Sequence, residues 1–65
     1  MNVSVSKIEA KLAEKNMTKA DLAERSGVSR QSVSTILGRG SCEPRTAGRL
    51  AAGLGVQVAD ILETA

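Results

Sequence analysis

Apolar residues recur along this chain at helical spacing, in short blocks bounded by capping and stopping residues. Val5, Ile8 and Leu12 share one face of a first helix. Its start is expected at Ser6, where Ser6-Lys7-Ile8-Glu9 reads as a capping box, and it fades at Lys15-Asn16. A second helix is expected from Thr18, whose hydroxyl can cap it, with Asp21 near the positive end of the helix dipole. It turns Leu22, Ala23 and Ser26 inward and stops at Gly27, which supplies a left-handed conformation at little cost. Only Val28 separates that stop from the next cap, Ser29, and a third helix runs to about Leu37 with Val33, Ile36 and Leu37 inside.

Gly38 and Gly40 are expected to break this helix, and a loop from Arg39 to Arg45 follows. A fourth helix, capped by Thr46, buries Ala47, Leu50, Ala51 and Leu54 before Gly55 ends it. Gly48 and Gly53 lie within it, each costing about 1 kcal/mol relative to alanine, so this helix depends on tertiary packing. A last short helix presents Val58, Ile61 and Leu62. The pattern therefore predicts an all-α chain with helices over 6–15, 18–26, 29–37, 46–54 and 58–63. The one strand-like stretch is an extended start at Asn2–Val5. No repeat, linker or low-complexity segment divides the chain, so one domain is expected over residues 1–65.

Composition narrows the function. With a single cysteine, Cys42, and no histidine, neither an intrachain disulfide nor a Cys/His zinc site can form, and no metal or cofactor is expected. A lone thiol fits a reducing compartment, and no apolar run has the length of a signal peptide or membrane span. A cytoplasmic protein is the expectation. No paired carboxylates, nucleophile with a partner base, or glycine-rich phosphate loop suggests catalysis or a small-molecule substrate. Phe, Trp and Tyr are absent, which removes the stacking platforms of single-strand and RNA binders.

Charge is unevenly placed. Four lysines and four acidic residues cancel over residues 1–24. Arg25, Arg30, Arg39, Arg45 and Arg49 face Glu43 alone over residues 25–49, and Asp60 and Glu63 make the remainder acidic. No acidic residue lies between Arg25 and Cys42. A charge cluster is commonly just a solvated surface, but guanidinium forks suit phosphates and guanine edges.

Two helices joined through Gly27-Val28-Ser29 must cross steeply, which is helix-turn-helix geometry. Ala23 is small where their backbones meet, and Val28 and Val33 can fill the wedge. The run from Thr18 to Ile36, with its Leu22-Ala23 pair, turn glycine, Val28-Ser29, Val33 and Ile36, resembles the core of the phage repressor and Cro (XRE-type) family. Gly38-Arg39-Gly40 with Pro44, then Leu50-Ala51 and Leu54-Gly55-Val56, resembles that family's loop and closing helices, so the likeness covers about residues 6–63. Two positions depart from it: Lys19 stands where glutamine is frequent, and Gln57 where a Ser or Thr cap is common.

The resemblance implies a compact lambda-repressor-like domain that reads duplex DNA through the helix beginning at Ser29. It implies base contacts from Arg30, Gln31, Ser34 and Thr35. Arg30 can bond both acceptors of guanine, Gln31 can pair with adenine, and Thr35 can touch a thymine methyl. Gln31 and Thr35 lie opposite the buried side, Ser34 and Ser32 on its flanks, and Arg30 in the first turn can project past the helix end. Backbone contacts are expected from Thr18, Lys19 and Ser29 at helix starts, and from Ser32, Arg39 and Ser41. Arg45 is open to a minor-groove role or a plain phosphate contact. Cys42 reads as a small, partly buried loop residue.

The implied activity is transcriptional regulation, most simply repression, by a nucleoid-associated protein on two-fold related half-sites. A weak homodimer could form through Val56, Ile61 and Leu62, though the simpler expectation for Ile61 and Leu62 is that they close the chain's own core. The rival reading is a protein-interaction module, such as an antitoxin, built on the same fold.

Overall fold

In the computed structural model, described over residues 1–63, four α-helices pack around one aliphatic core. They are α1 (Val5–Glu14), α2 (Lys19–Ser26), α3 (Arg30–Arg39) and α4 (Pro44–Leu54). Thr64 and Ala65, the end of the domain expected over 1–65, lie outside the described residues. The expected fifth helix over 58–63 is instead one 3-10 turn, Val58–Asp60, after which Leu62 pairs in a β-bridge with Val3. None of the described helices is long and apolar enough to cross a membrane.

The start of α1 differs from expectation. Ser4, not Ser6, is the cap: its hydroxyl accepts from the Lys7 amide at 3.2 Å and its carbonyl from the Ile8 amide at 3.0 Å. Both serines are chemically suitable, and tertiary contacts decide between them. The Ser4 amide donates to the Ile61 carbonyl at 2.7 Å, which holds Ser4 extended and 97 % buried while Ser6 stays exposed. With Ser4 as cap, the third helical position is Lys7, and Glu9 falls two residues too late to close the capping box. Helix α1 ends where Asn16 turns left-handed at φ 53°, a conformation asparagine tolerates better than most residues.

Both ends of α2 follow expectation. The Thr18 hydroxyl accepts from the Asp21 amide at 3.1 Å, and the Asp21 carboxylate accepts from the Thr18 amide at 2.9 Å. The Thr18 amide above all, with the Thr18 hydroxyl and Arg25 adding to it, holds the Asp21 carboxyl below its ordinary value of 3.8. A depressed folded-state pKa stabilises the fold above that ordinary value, and the contribution is lost as pH falls below it and through the folded-state pKa. The melting-temperature gap between wild type and Asp21→Asn is therefore expected to be widest at neutral pH and to narrow below about pH 4. Thermal melts across that range check it; a gap that is constant with pH would contradict it.

The helix containing Gly38 is longer than expected. Gly38 stays helical, and only Gly40, at φ 74°, stops α3 by donating its amide to the Ile36 carbonyl at 2.7 Å. Helix α4 starts two residues before Thr46. Pro44 occupies its first turn, where a missing amide leaves nothing unsatisfied, and the Glu43 carbonyl receives the Ala47 amide at 2.9 Å. The loop expected over 39–45 shrinks to residues 40–43, and Arg45 lies on a helix.

The core takes side chains from every helix, with Ile8, Leu22, Val33, Leu50 and Leu54 at or below 1 % exposure. Val3 and Ile61 complete it from outside the helices. The extended start lies between two distant segments. The Val3 amide donates to Gly40, the Cys42 amide to Met1, and the Glu63 amide to Asn2, at 2.9, 3.0 and 3.2 Å. Helix α2 packs against both α3 and α4. Against α4 the approach is close: a Cβ at Gly53 would stand 3.0 Å from the Ser26 amide nitrogen. What the pattern showed only as a helix-weakening glycine is the place where two backbones meet.

Candidate nucleic-acid interface

The α2–turn–α3 unit is held by local bonds. Gly27 adopts φ 75° and donates to the Ala23 carbonyl at 3.0 Å, and the Val28 amide donates to the Ser26 hydroxyl at 3.3 Å. Ser29 then caps α3 by accepting from the Ser32 amide at 3.1 Å. Leu22 and Ala23 on α2 and Val33, Ile36 and Leu37 on α3 are buried, with Val28 half-buried beside them. This fixes the rotation of α3 and leaves Arg30, Gln31, Ser32, Ser34, Thr35 and Arg39 exposed.

The side chains named from sequence fall into three groups. Ser29, Gln31, Ser32, Thr35, Arg39 and Ser41 border one open groove of about 570 Å³ between α3 and the start of α4. Arg30 and Ser34 lie outside its lining, on the other flank of α3. Thr18 and Lys19 stand at the start of α2, and Arg45 in the first turn of α4, all exposed. A cation at a helix N-terminus is disfavoured by the dipole, so Arg45 would gain from a bound anion.

Hydroxyl bonding refines the roles open to these residues. Ser29 accepts from the Ser32 amide and donates to the Ser32 hydroxyl at 2.9 Å, so its own proton is committed. Ser32 keeps its proton for an outside acceptor. Thr35 donates to the Gln31 carbonyl at 2.9 Å, so toward solvent it offers a methyl group and lone pairs rather than a donor. None of this follows from residue type alone.

Sequence reasoning passed over Thr46, Arg49 and Glu43, which line the same groove from the α4 side. Arg49 was visible only as part of the charge cluster, because the groove is formed by two helices whose relative placement the pattern does not contain. The sole ion pair among the described residues joins Lys11 and Glu14 at 3.5 Å, so none of the five arginines is neutralised by one. Cys42 is half-buried on the groove wall. Burial pushes its thiol pKa up, the Met1 ammonium pulls it partly back, and Glu43 raises it again, which leaves the thiol protonated and weakly nucleophilic.

Of the residues considered for self-association, Ile61 is fully buried within the chain, whereas Val56 and Leu62 are half-buried. No group of His, Cys, Asp and Glu among the described residues is arranged to hold a metal ion.

No curated protein and no solved structure is significantly similar to the chain. A family model described as the Cro/C1-type HTH DNA-binding domain matches residues 7–65, which run from within the first turn of α1 through α2, the turn, α3 and α4. The chain belongs to the Cro/C1-type helix-turn-helix DNA-binding family.

Proposed function

We propose that this protein is a phage or bacterial transcriptional regulator, most simply a repressor, that binds duplex DNA sequence-specifically with α3 in the major groove. The observation that carries the reading is the outer face of α3. It is exposed, polar and free of acidic residues, on a unit whose family binds DNA. Arg30 and Gln31 read base edges, with Ser34 and Thr35 as shorter contacts beside them. Thr18, Lys19, Ser29, Ser32, Arg39, Ser41 and Arg45 hold the phosphate backbone, Ser29 through its amide end and Ser32 through its free hydroxyl proton. Two chains occupy two-fold related half-sites, meeting through surface residues such as Val56 and Leu62. The protein acts in the cytoplasm, at the nucleoid.

Selection of bound sites from a random duplex library, followed by footprinting, tests this. Arg30→Ala is expected to weaken the selected site by about 5- to 150-fold, the range of a lost bidentate base contact, and to leave non-specific binding unchanged. If Arg30→Ala footprints the same site at wild-type affinity, Arg30 is not a base reader.

A further inference from the structure

Gly38 has no task inside the protein. It lies within α3, its φ is not positive, and a Cβ built there meets nothing within 4 Å. Alanine would fit, yet glycine in the last turn of a helix is disfavoured relative to alanine. Other glycines have visible reasons: Gly27, Gly40 and Gly55 adopt positive φ, and Gly53 lies against Ser26. Gly48 shares the open surroundings of Gly38 but is half-buried on α4.

Position supplies the reason. Gly38 is seven residues beyond Gln31 and three beyond Thr35, on the exposed stripe of α3 opposite Val33 and Leu37. Along that stripe side chains shorten from an amide, to a methyl and hydroxyl, to a hydrogen. Glycine is the residue that lets a backbone come against a ligand. The occupant is duplex DNA, because the stripe is acid-free, Arg39 adjoins Gly38 unpaired among the described residues, and the family binds DNA.

We propose that Gly38 is a clearance residue: the α3 backbone there lies in van der Waals contact with duplex DNA, and the missing Cβ sets how deeply the helix seats. This rests on the DNA-binding reading above. It places fold stability and DNA affinity in opposition at one position.

Gly38→Ala and Gly38→Leu, both good helix formers, test it by thermal melting and by binding to the site selected with wild type. Both variants are expected to melt higher than wild type. Both are expected to bind more weakly, by about ten-fold for alanine and about a hundred-fold for leucine, as overpacking at a close contact would cause, with an unchanged salt slope. Wild-type affinity in both variants overturns the proposal and leaves the DNA-binding reading standing. A lower melting temperature also overturns it, since Gly38 would then serve the fold. Wild type that binds no duplex DNA at any salt concentration removes both readings.

Discussion

Gly53→Leu is expected to remove a large share of the protein's stability, lowering its melting temperature by about 10 °C or more. Even a single methyl at this position would press on the Ser26 amide nitrogen, Cα and Cβ at 3.0 to 3.1 Å. Two of those atoms are backbone and cannot swing aside. The first helix of the DNA-binding unit must then move off α4, which loosens the core that Leu22 shares with Leu50 and Leu54. Overpacking of this kind costs typically 1–3 kcal/mol and occasionally more. At about 0.05–0.15 kcal/mol per residue, a chain of this length holds about 3–10 kcal/mol in total, so a loss of that size is a large share of it. Alanine sets two effects against each other: about 1 kcal/mol of helix propensity gained, and a steric conflict of larger size. Gly53→Ala should therefore melt below wild type, whereas Gly48→Ala, with open space at its Cβ, should melt above it. Circular dichroism melts of the three variants decide this. A stabilised Gly53→Ala would mean that α2 and α4 separate at little cost.

The second large effect is the response of DNA affinity to salt. Lys19, Arg39 and Arg45 are the charged side chains assigned to phosphates, three in each half-site. Each neutralised phosphate contributes about −0.9 to the slope of log K against log salt, giving about −2.7 for a half-site and twice that for a full site. Between about 50 and 200 mM salt, affinity should fall about 40-fold for a half-site and about 2,000-fold for two. Removing any one of the three cations by alanine substitution should flatten the half-site slope by about 0.9 while leaving the preferred sequence unchanged. Titrations at four or five salt concentrations measure this directly. A flat response would favour the rival protein-interaction reading, since no charge on this surface would then be meeting a phosphate.

The DNA-binding unit was the most legible part of the sequence because its signals are local. Thr18 and Asp21 cap each other across three residues, Gly27 must turn left-handed, and Ser29 bonds an amide within its own first turn. Each of these decisions is made by neighbours along the chain. The starts of α1 and α4 were less legible because each offered competing caps. Ser4 prevails over Ser6 through a bond to Ile61, and Pro44 opens α4 ahead of Thr46 because its ring suits a first turn. The last segment carries an amphipathic pattern but tightens into a 3-10 turn, where Leu62 leaves the helical path to pair with Val3.

Within the candidate site, the identities and the outward stripe of α3 were readable from periodicity. What each group has free to offer was not. The proton of Ser29 is used by Ser32 and that of Thr35 by Gln31, and such choices depend on rotamers. Arg49 and Thr46 joined the groove only once α4 was placed against α3.

The extended start between Gly40–Cys42 and Ile61–Glu63 also bears on the order of folding. Its bonds close loops nearly as long as the chain in one direction and more than half as long in the other. Loops of that size are entropically slow to close, whereas α2, the turn and α3 need only near neighbours. The segment should dock last, onto helices already assembled, and open first as one unit. In native-state hydrogen exchange, the Val3, Ser4, Cys42 and Glu63 amides should share a single opening free energy, below that of the Leu22 and Val33 amides. The C-terminal end of α3 would then be tethered by the part of the molecule that lets go most easily.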